Sequence, residues 1–228
     1  MRHSIARILL LALIAFQPLT GQERLYHLAI SGSFTTSSKL FRYPDDPDES
    51  FRSQFVPLDN VFGVGIDFRR SLEPINIQVG IGVEYITRRE SFNDPVPGND
   101  GYDAIPIELS GYFFIPLGDE RIQLYMGGGA GTYIGSRRYQ YAGAIAPTVE
   151  RKPGYGIHIV SGVQCAIAPT VSFRSELKFR DVQFETANKF TQASTYYNGS
   201  TIVLDKAPFS SRVNIDGMTL TLGLVYHF

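Results

Sequence analysis

Residues 217–228 read Gly-Met-Thr-Leu-Thr-Leu-Gly-Leu-Val-Tyr-His-Phe. Met218, Leu220, Leu222, Leu224, Tyr226 and Phe228 share one parity, and Gly217, Thr219, Thr221, Gly223, Val225 and His227 share the other. Successive side chains of an extended chain point to opposite faces, so this stretch is a strand with one oily face and one mostly small or polar face. The same pattern sets Ile75, Ile77, Val79, Ile81, Val83 and Tyr85 against Asn76, Gln78, Gly80, Gly82, Glu84 and Ile86. In the segment from Val171, the apolar Val171, Phe173, Leu177 and Phe179, with Ser175, oppose Ser172, Arg174, Glu176, Lys178 and Arg180. One face is greasy and the other is ionic.

Working outward, the alternation predicts eight strands: Leu25 to Thr35, Leu58 to Arg70, Ile75 to Arg89, Tyr102 to Pro116, Arg121 to Ser136, Gly154 to Ala168, Thr170 to Thr186 and Val213 to Phe228. No segment beyond residue 24 carries a helical period. Short turns at Ser71-Leu72-Glu73-Pro74, at Leu117-Gly118-Asp119-Glu120 and around Pro169 alternate with long polar connections at Thr36 to Pro57, Glu90 to Gly101, Arg137 to Pro153 and Ala187 to Arg212. One rim is therefore trimmed and the other carries loops.

The whole chain has 228 residues, of which 43% are hydrophobic, with 21 Lys and Arg against 22 Asp and Glu. That apolar content excludes a disordered chain, and the near-neutral balance argues against a nucleic-acid partner. A single cysteine excludes a disulfide framework and any Cys-based zinc site. Arg2, His3 and Arg7 precede an unbroken apolar run, Ile8 to Phe16, of nine residues. A membrane-spanning helix needs about 20 apolar residues, so residues 1–21 read as a secretory signal peptide cleaved after Gly21, leaving 22–228 as the barrel domain. No cysteine follows the run, which argues against a lipid anchor. Losing Arg2 and Arg7 takes the 21 basic residues to 19 against 22 acidic ones, and the mature chain is mildly acidic.

Two architectures accept eight such strands: a soluble barrel with the oily face inside and a membrane barrel with it outside. Volume decides between them. An eight-stranded barrel has an interior just filled by side chains. Phe113, Phe173, Phe179, Tyr85, Tyr226 and Phe228 with the many Ile, Leu and Val would overfill it, whereas the Gly, Ser and Thr of the other face fit. The reading is a transmembrane up-and-down antiparallel β-barrel. Hydrocarbon offers backbone groups no hydrogen bonds, and a closed barrel pairs them all internally. Tyr26, Tyr226 and Phe228 at the short-turn rim, with Tyr133, Tyr139 and Tyr155 toward the other, are expected to form aromatic girdles.

The terminal pattern Thr221-x-Gly223-x-x-Tyr226-x-Phe228 resembles the signal by which outer-membrane barrels are recognised by the barrel-assembly machinery. With the leader and the eight strands, the chain resembles small outer-membrane β-barrels of the OmpA-transmembrane, OmpX and OmpW kind. That resemblance implies a monomer in the outer membrane of a Gram-negative bacterium, surrounded by outer-membrane lipid and lipopolysaccharide. A partner at the surface or in a secretion apparatus is compatible with it.

Candidate chemistry lies on the inward parity. Asp67, Glu84, Glu108, Arg121, Arg174, Glu176 and Lys178 are expected to face the lumen, where buried ions need partners. A plug of mutually paired charges and an ion or proton path are the competing readings, and the narrow interior favours the plug. His27 and His227 are expected to meet at the periplasmic rim, since the first and last strands close the barrel. An enzyme, for instance a lipid hydrolase, needs Ser, His and an acid within hydrogen-bond reach. His158 with Ser161 lie on opposite faces, and His27 with Ser31 about 13 Å apart along the strand, so neither makes a pair; only a cross-strand serine would. No cofactor or metal site is expected. The acidic stretch Tyr43 to Glu49 lacks the glycine of a calcium loop. Asn198-Gly199 is a turn signal, and Cys165 shares the lipid-facing parity. The expected role is structural or surface interaction through the long loops, without enzymatic activity; a lipid-modifying enzyme or a narrow channel for small or hydrophobic solutes is the alternative.

Overall fold

The computed structural model describes residues 24–72, 74–93, 95–117 and 121–228. The expected signal peptide, and parts of the turns at 71–74 and 117–120, lie outside the described residues.

In chain order the elements are β1 (Tyr26–Thr35), β2 (Lys39–Phe41), a single helical turn α1 (Glu49–Arg52), β3 (Phe55–Pro57), β4 (Val61–Leu72), β5 (Ile77–Phe92), β6 (Gly98–Ile115), β7 (Ile122–Tyr141), β8 (Ala144–Ala146), β9 (Thr148–Lys152), β10 (Gly154–Ala168), β11 (Val171–Asn188), β12 (Ser194–Tyr197), β13 (Ser200–Val203), β14 (Phe209–Ile215) and β15 (Met218–His227). Eight of them form a ring in the order β1-β4-β5-β6-β7-β10-β11-β15, every neighbour antiparallel. The ring closes where β15 returns to β1, in register from His27↔His227 to Thr35↔Thr219. No edge is left in the wall, as a hydrocarbon surrounding requires.

The polarity is the expected one. Leu109 is 67% exposed and Leu224 is 56% exposed, whereas Val225, one residue on, is 1% exposed. Phe62, Val64, Ile66, Ile81, Ile157 and Ile159 join the greasy outer wall. Tyr26 stacks on Phe68 and Phe228, at 5.8 and 6.0 Å between ring centroids, and forms a girdle with Tyr226 at the chain-end rim. The opposite girdle differs from expectation: Tyr155 is exposed, Tyr139 packs into a loop cluster, and Tyr133 is buried inside the barrel.

Three further departures have local causes. The strand expected over Val213 to Phe228 is broken at Asp216 and Gly217 into β14 and β15, although both pair with β11 in one continuous register, Val182↔Ile215 and Phe179↔Met218. The chain leaving β1 crosses at the break, where a Cβ on Gly217 would sit 2.5 Å from the Ser37 carbonyl oxygen. Second, the long connections are largely β-structure. β7 runs on to a two-residue turn at Ala142-Gly143, with φ of 49° and 80°, and returns as β8. Asn198-Gly199, with φ of 47° and 79°, makes the matching turn between β12 and β13, the primed geometry that twisted hairpins favour. α1 is capped by Asp48, whose Oδ1 accepts from the Ser50 backbone N–H at 2.9 Å; this holds the exposed carboxyl below its ordinary range.

Third, the interior is layered rather than uniformly polar. Toward the loops it holds an apolar core of Leu40, Leu58, Val61, Ile86, Tyr102, Phe184, Val213 and Ile215. Much of this core comes from segments outside the ring, which bring large side chains over the mouth. Beyond it, Phe190, Leu204, Ala144 and Ala146 make a second cluster within the loops.

A lipid-facing arginine tests the polarity directly. Leu222→Arg is expected to destabilise the barrel by about 2–4 kcal/mol in lipid vesicles, whereas Thr201→Arg on the exposed β12–β13 hairpin stays within about 0.5 kcal/mol; denaturant titration followed by heat-dependent migration on detergent gels reads both.

Candidate functional site: the ion-filled lumen

Alternation aims every second side chain at the barrel axis, and the midsection gathers eight ions there from four wall strands, β4, β5, β6 and β11. Asp67, Glu84, Glu108 and Glu176 face Arg69, Arg174, Lys178 and Arg180, four charges of each sign. They form two clusters. Nearer the chain ends, the Arg69 guanidinium donates from Nε and Nη2 to Asp67 at 3.1 and 3.0 Å, and from Nη2 to Glu176 at 2.6 Å. Arg174 donates to Asp67 at 2.5 Å, and the Tyr125 hydroxyl donates to Glu176 at 2.6 Å. The Arg69 guanidinium also lies 3.6 Å from the centre of the Tyr112 ring, a contact that the electron-rich ring face makes favourable. A Cβ on Gly162 would fall 2.5 Å from Tyr125 Cζ, so that glycine makes room for the ring.

Nearer the loops, Glu108 accepts from Lys178 Nζ at 2.6 Å, Arg180 Nε at 2.9 Å and the Tyr133 hydroxyl at 2.6 Å. Arg180 also pairs with Glu84, which accepts from the Ser33 hydroxyl. Each carboxylate thus has a cation and, besides it, a hydroxyl or a second cation. Opposite charges held this way offset much of the desolvation cost that each would carry alone. The space left between the clusters, bordered by Asp67, Glu84, Glu108 and Lys178, is about 40 Å³, enough for a few water molecules.

Of the seven residues expected in the lumen, six enter this array. Arg121 does not: it sits exposed in the turn before β7 and lines the mouth at the chain-end rim. Its inward parity is correct, but its depth is set by the turn. The sequence set Arg180 on the ionic face without counting it among the lumen residues and assigned Tyr133 to a girdle, whereas Arg69, Tyr112 and Tyr125 were passed over. Parity with Asp67 marks Arg69, and parity with Lys178 marks Arg180; tyrosines read as girdle or strand residues gave no comparable signal.

At the rim, His27 and His227 do meet, with Nδ1 atoms 2.7 Å apart and ring centroids 4.9 Å apart. Ser71 lies 2.8 Å from His27 Nε2 and Ser172 lies 2.8 Å from His227 Nε2. A cross-strand serine also appears deeper in the barrel. Ser110 Oγ is 2.8 Å from His158 Nε2, and Glu108 Oε1 is 3.9 Å from His158 Nδ1. Ser, His and acid stand in sequence, but the His158 side chain is 0% exposed and Glu108 is committed to two cations. Thr221, Gly223 and Tyr226, expected to form an assembly signal with Phe228, lie in β15, with Phe228 directly after it.

No protein-family model and no curated protein matches the chain. Solved structures do. The outer membrane protein OprG from Pseudomonas aeruginosa superimposes with a TM-score of 0.62 at 12% identity, over 92% of this chain and 99% of that one. A major outer membrane protein from Thermus thermophilus gives 0.53 at 10% identity, over 89% and 99%. Neisserial surface protein A gives 0.51 at 11% identity, over 89% and 97%.

The interdependence of the ions is measurable. Glu108→Ala leaves Lys178 and Arg180 without their shared carboxylate and is expected to cost about 3–5 kcal/mol. Asp216→Ala, which removes the exposed partner of Lys39, is expected to cost at most about 1 kcal/mol; unfolding midpoints in detergent micelles compare the two. With its ring of eight antiparallel strands, its greasy outer wall and its likeness to these structures, the chain has the fold of the small outer-membrane β-barrels and crosses the membrane with strands.

Proposed function

We propose that this outer-membrane barrel is closed to solutes and works through its loop-bearing face, as a structural and surface-interaction protein. The observation that carries the reading is the double obstruction of the axis. Four carboxylates and four cations fill the midsection, leaving about 40 Å³ between them. Above them an apolar core built around Tyr102 and Phe184 caps the lumen. An ion crossing this path would have to displace paired charges and then shed its water in an apolar layer, and both steps are costly. Outside, the β12–β13 hairpin presents Tyr196 at 71% and Val203 at 84% exposure, apolar groups that favour contact with a partner. Thr221, Gly223, Tyr226 and Phe228 serve insertion by the assembly machinery in this reading, and a single chain closes the ring without a second copy.

Planar-bilayer recording tests it: purified protein is expected to give no large, stable open events, and sustained conductance by the unaltered barrel would sink the reading. Ser110, His158 and Glu108 favour a second reading, a serine hydrolase. Against it stand the burial of His158 and the small adjoining space. A fluorophosphonate probe is expected to leave the folded barrel unlabelled. Labelling that disappears in Ser110→Ala would establish the hydrolase instead.

A further inference from the structure

The outer wall carries its own charge pattern just beyond the greasy band. On β7 the outward positions from Ile122 to Ile134 span twelve residues. At about 3.3 Å per residue along a strand tilted about 40°, that is about 30 Å of height, the thickness of a bilayer's hydrocarbon core. The next outward positions are Ser136 and Arg138. On β5 the band reaches Tyr85 and is followed by Arg89. Tyr155, 81% exposed at the start of β10, marks the same level.

Three arginines from three strands meet here. Arg89, Arg138 and Arg151 line one open groove of about 630 Å³, whose floor also includes Ser136 and Ile145. The side chains of Arg89 and Arg138 are 62% and 60% exposed. Among the described residues, one carboxylate touches them. Asp103 accepts from Arg138 Nε at 2.6 Å and lies 4.0 Å from Arg89 Nη2. Arg151 donates from Nε to the Ser136 hydroxyl at 2.6 Å. Each Nε contact fixes a stem while leaving the terminal nitrogens of Arg138 and Arg151 without a hydrogen-bond partner among the described residues. Among the described residues, three guanidinium groups against one carboxylate leave an excess of two positive charges in the groove. The far arc of the barrel is different: at the corresponding rim Lys39 is neutralised by Asp216 at 2.6 Å.

We propose that this groove binds the phosphate groups of an outer-leaflet lipid, with the acyl chains lying down the wall over Ile134 and Ile105. Guanidinium forks match phosphate oxygens bidentately, and their position at the edge of the greasy band coincides with the headgroup layer. A soluble anion would need only the charges. The continuous apolar wall beneath them selects a lipid.

The test uses the whole folded barrel in detergent micelles, titrated with bisphosphorylated lipid A and with the same lipid after removal of both phosphates, binding being counted by native mass spectrometry. The unaltered protein is expected to prefer the phosphorylated lipid by about tenfold or more. Arg89→Ala/Arg138→Ala/Arg151→Ala should abolish that preference, and the corresponding triple Lys variant should keep part of it. Heat-dependent gel migration verifies that each variant is folded. Equal affinity for the two lipids, or an undiminished preference in the triple Ala variant, would overturn the assignment. Inorganic phosphate in large excess is expected to leave the lipid bound; displacement would mean a general anion site and would overturn the choice of a lipid.

Discussion

Everything in this molecule follows from the closure of β1 against β15. Hydrocarbon gives a peptide group no hydrogen-bonding partner, so an open edge anywhere in the wall would leave a row of unpaired donors and acceptors. The register from His27↔His227 to Thr35↔Thr219 removes that edge. Once the ring is closed, strand alternation sends every second side chain to lipid and every other one to the axis, and the interior must be made compatible with its own narrowness.

The chain fills that interior in an unusual sequence of layers. A ring of eight strands could be packed with small residues throughout, but here the midsection is ionic and the loop end is apolar. Ionic packing is demanding, because each group is costly to bury and depends on its neighbours being in place. Arg69 shows the dependence: it contacts Asp67, Glu176 and the Tyr112 ring at once, drawing on β4, β6 and β11. The array therefore ties distant parts of the wall together through the axis. The apolar cap is a different device. It buries Tyr102, Phe184 and Ile215 under segments that leave the ring, and so anchors the loop-bearing face to the barrel.

The outside is divided just as sharply. Where the greasy band ends, arginines begin on one arc, with Asp103 beside them. Farther out, the β12–β13 hairpin carries exposed aromatic and aliphatic groups. With the axis closed as proposed, these outer surfaces are where the molecule meets lipid and protein, and the two differ in chemistry as their surroundings do.

Period-two alternation sufficed to determine the strand class, the inside-out polarity and six of the axial ions, because parity is a property of the local chain. Leu220, Leu222 and Leu224 face lipid for the same reason that Thr219 and Thr221 do not. Depth and partnership are not local. Arg121 has inward parity yet stays at the rim, and Tyr133 has the composition of a girdle residue yet donates to Glu108 inside. Arg69 and Arg180 acquire their importance from acids on other strands, and Ser110 reaches His158 across a gap of 48 residues. The break at Gly217 and the apolar cap likewise arise from chain segments that meet only in three dimensions. The sequence alone determined which face of the wall most strand side chains take; the tertiary structure decided which side chains meet, because register and loop crossing set heights that no single strand encodes.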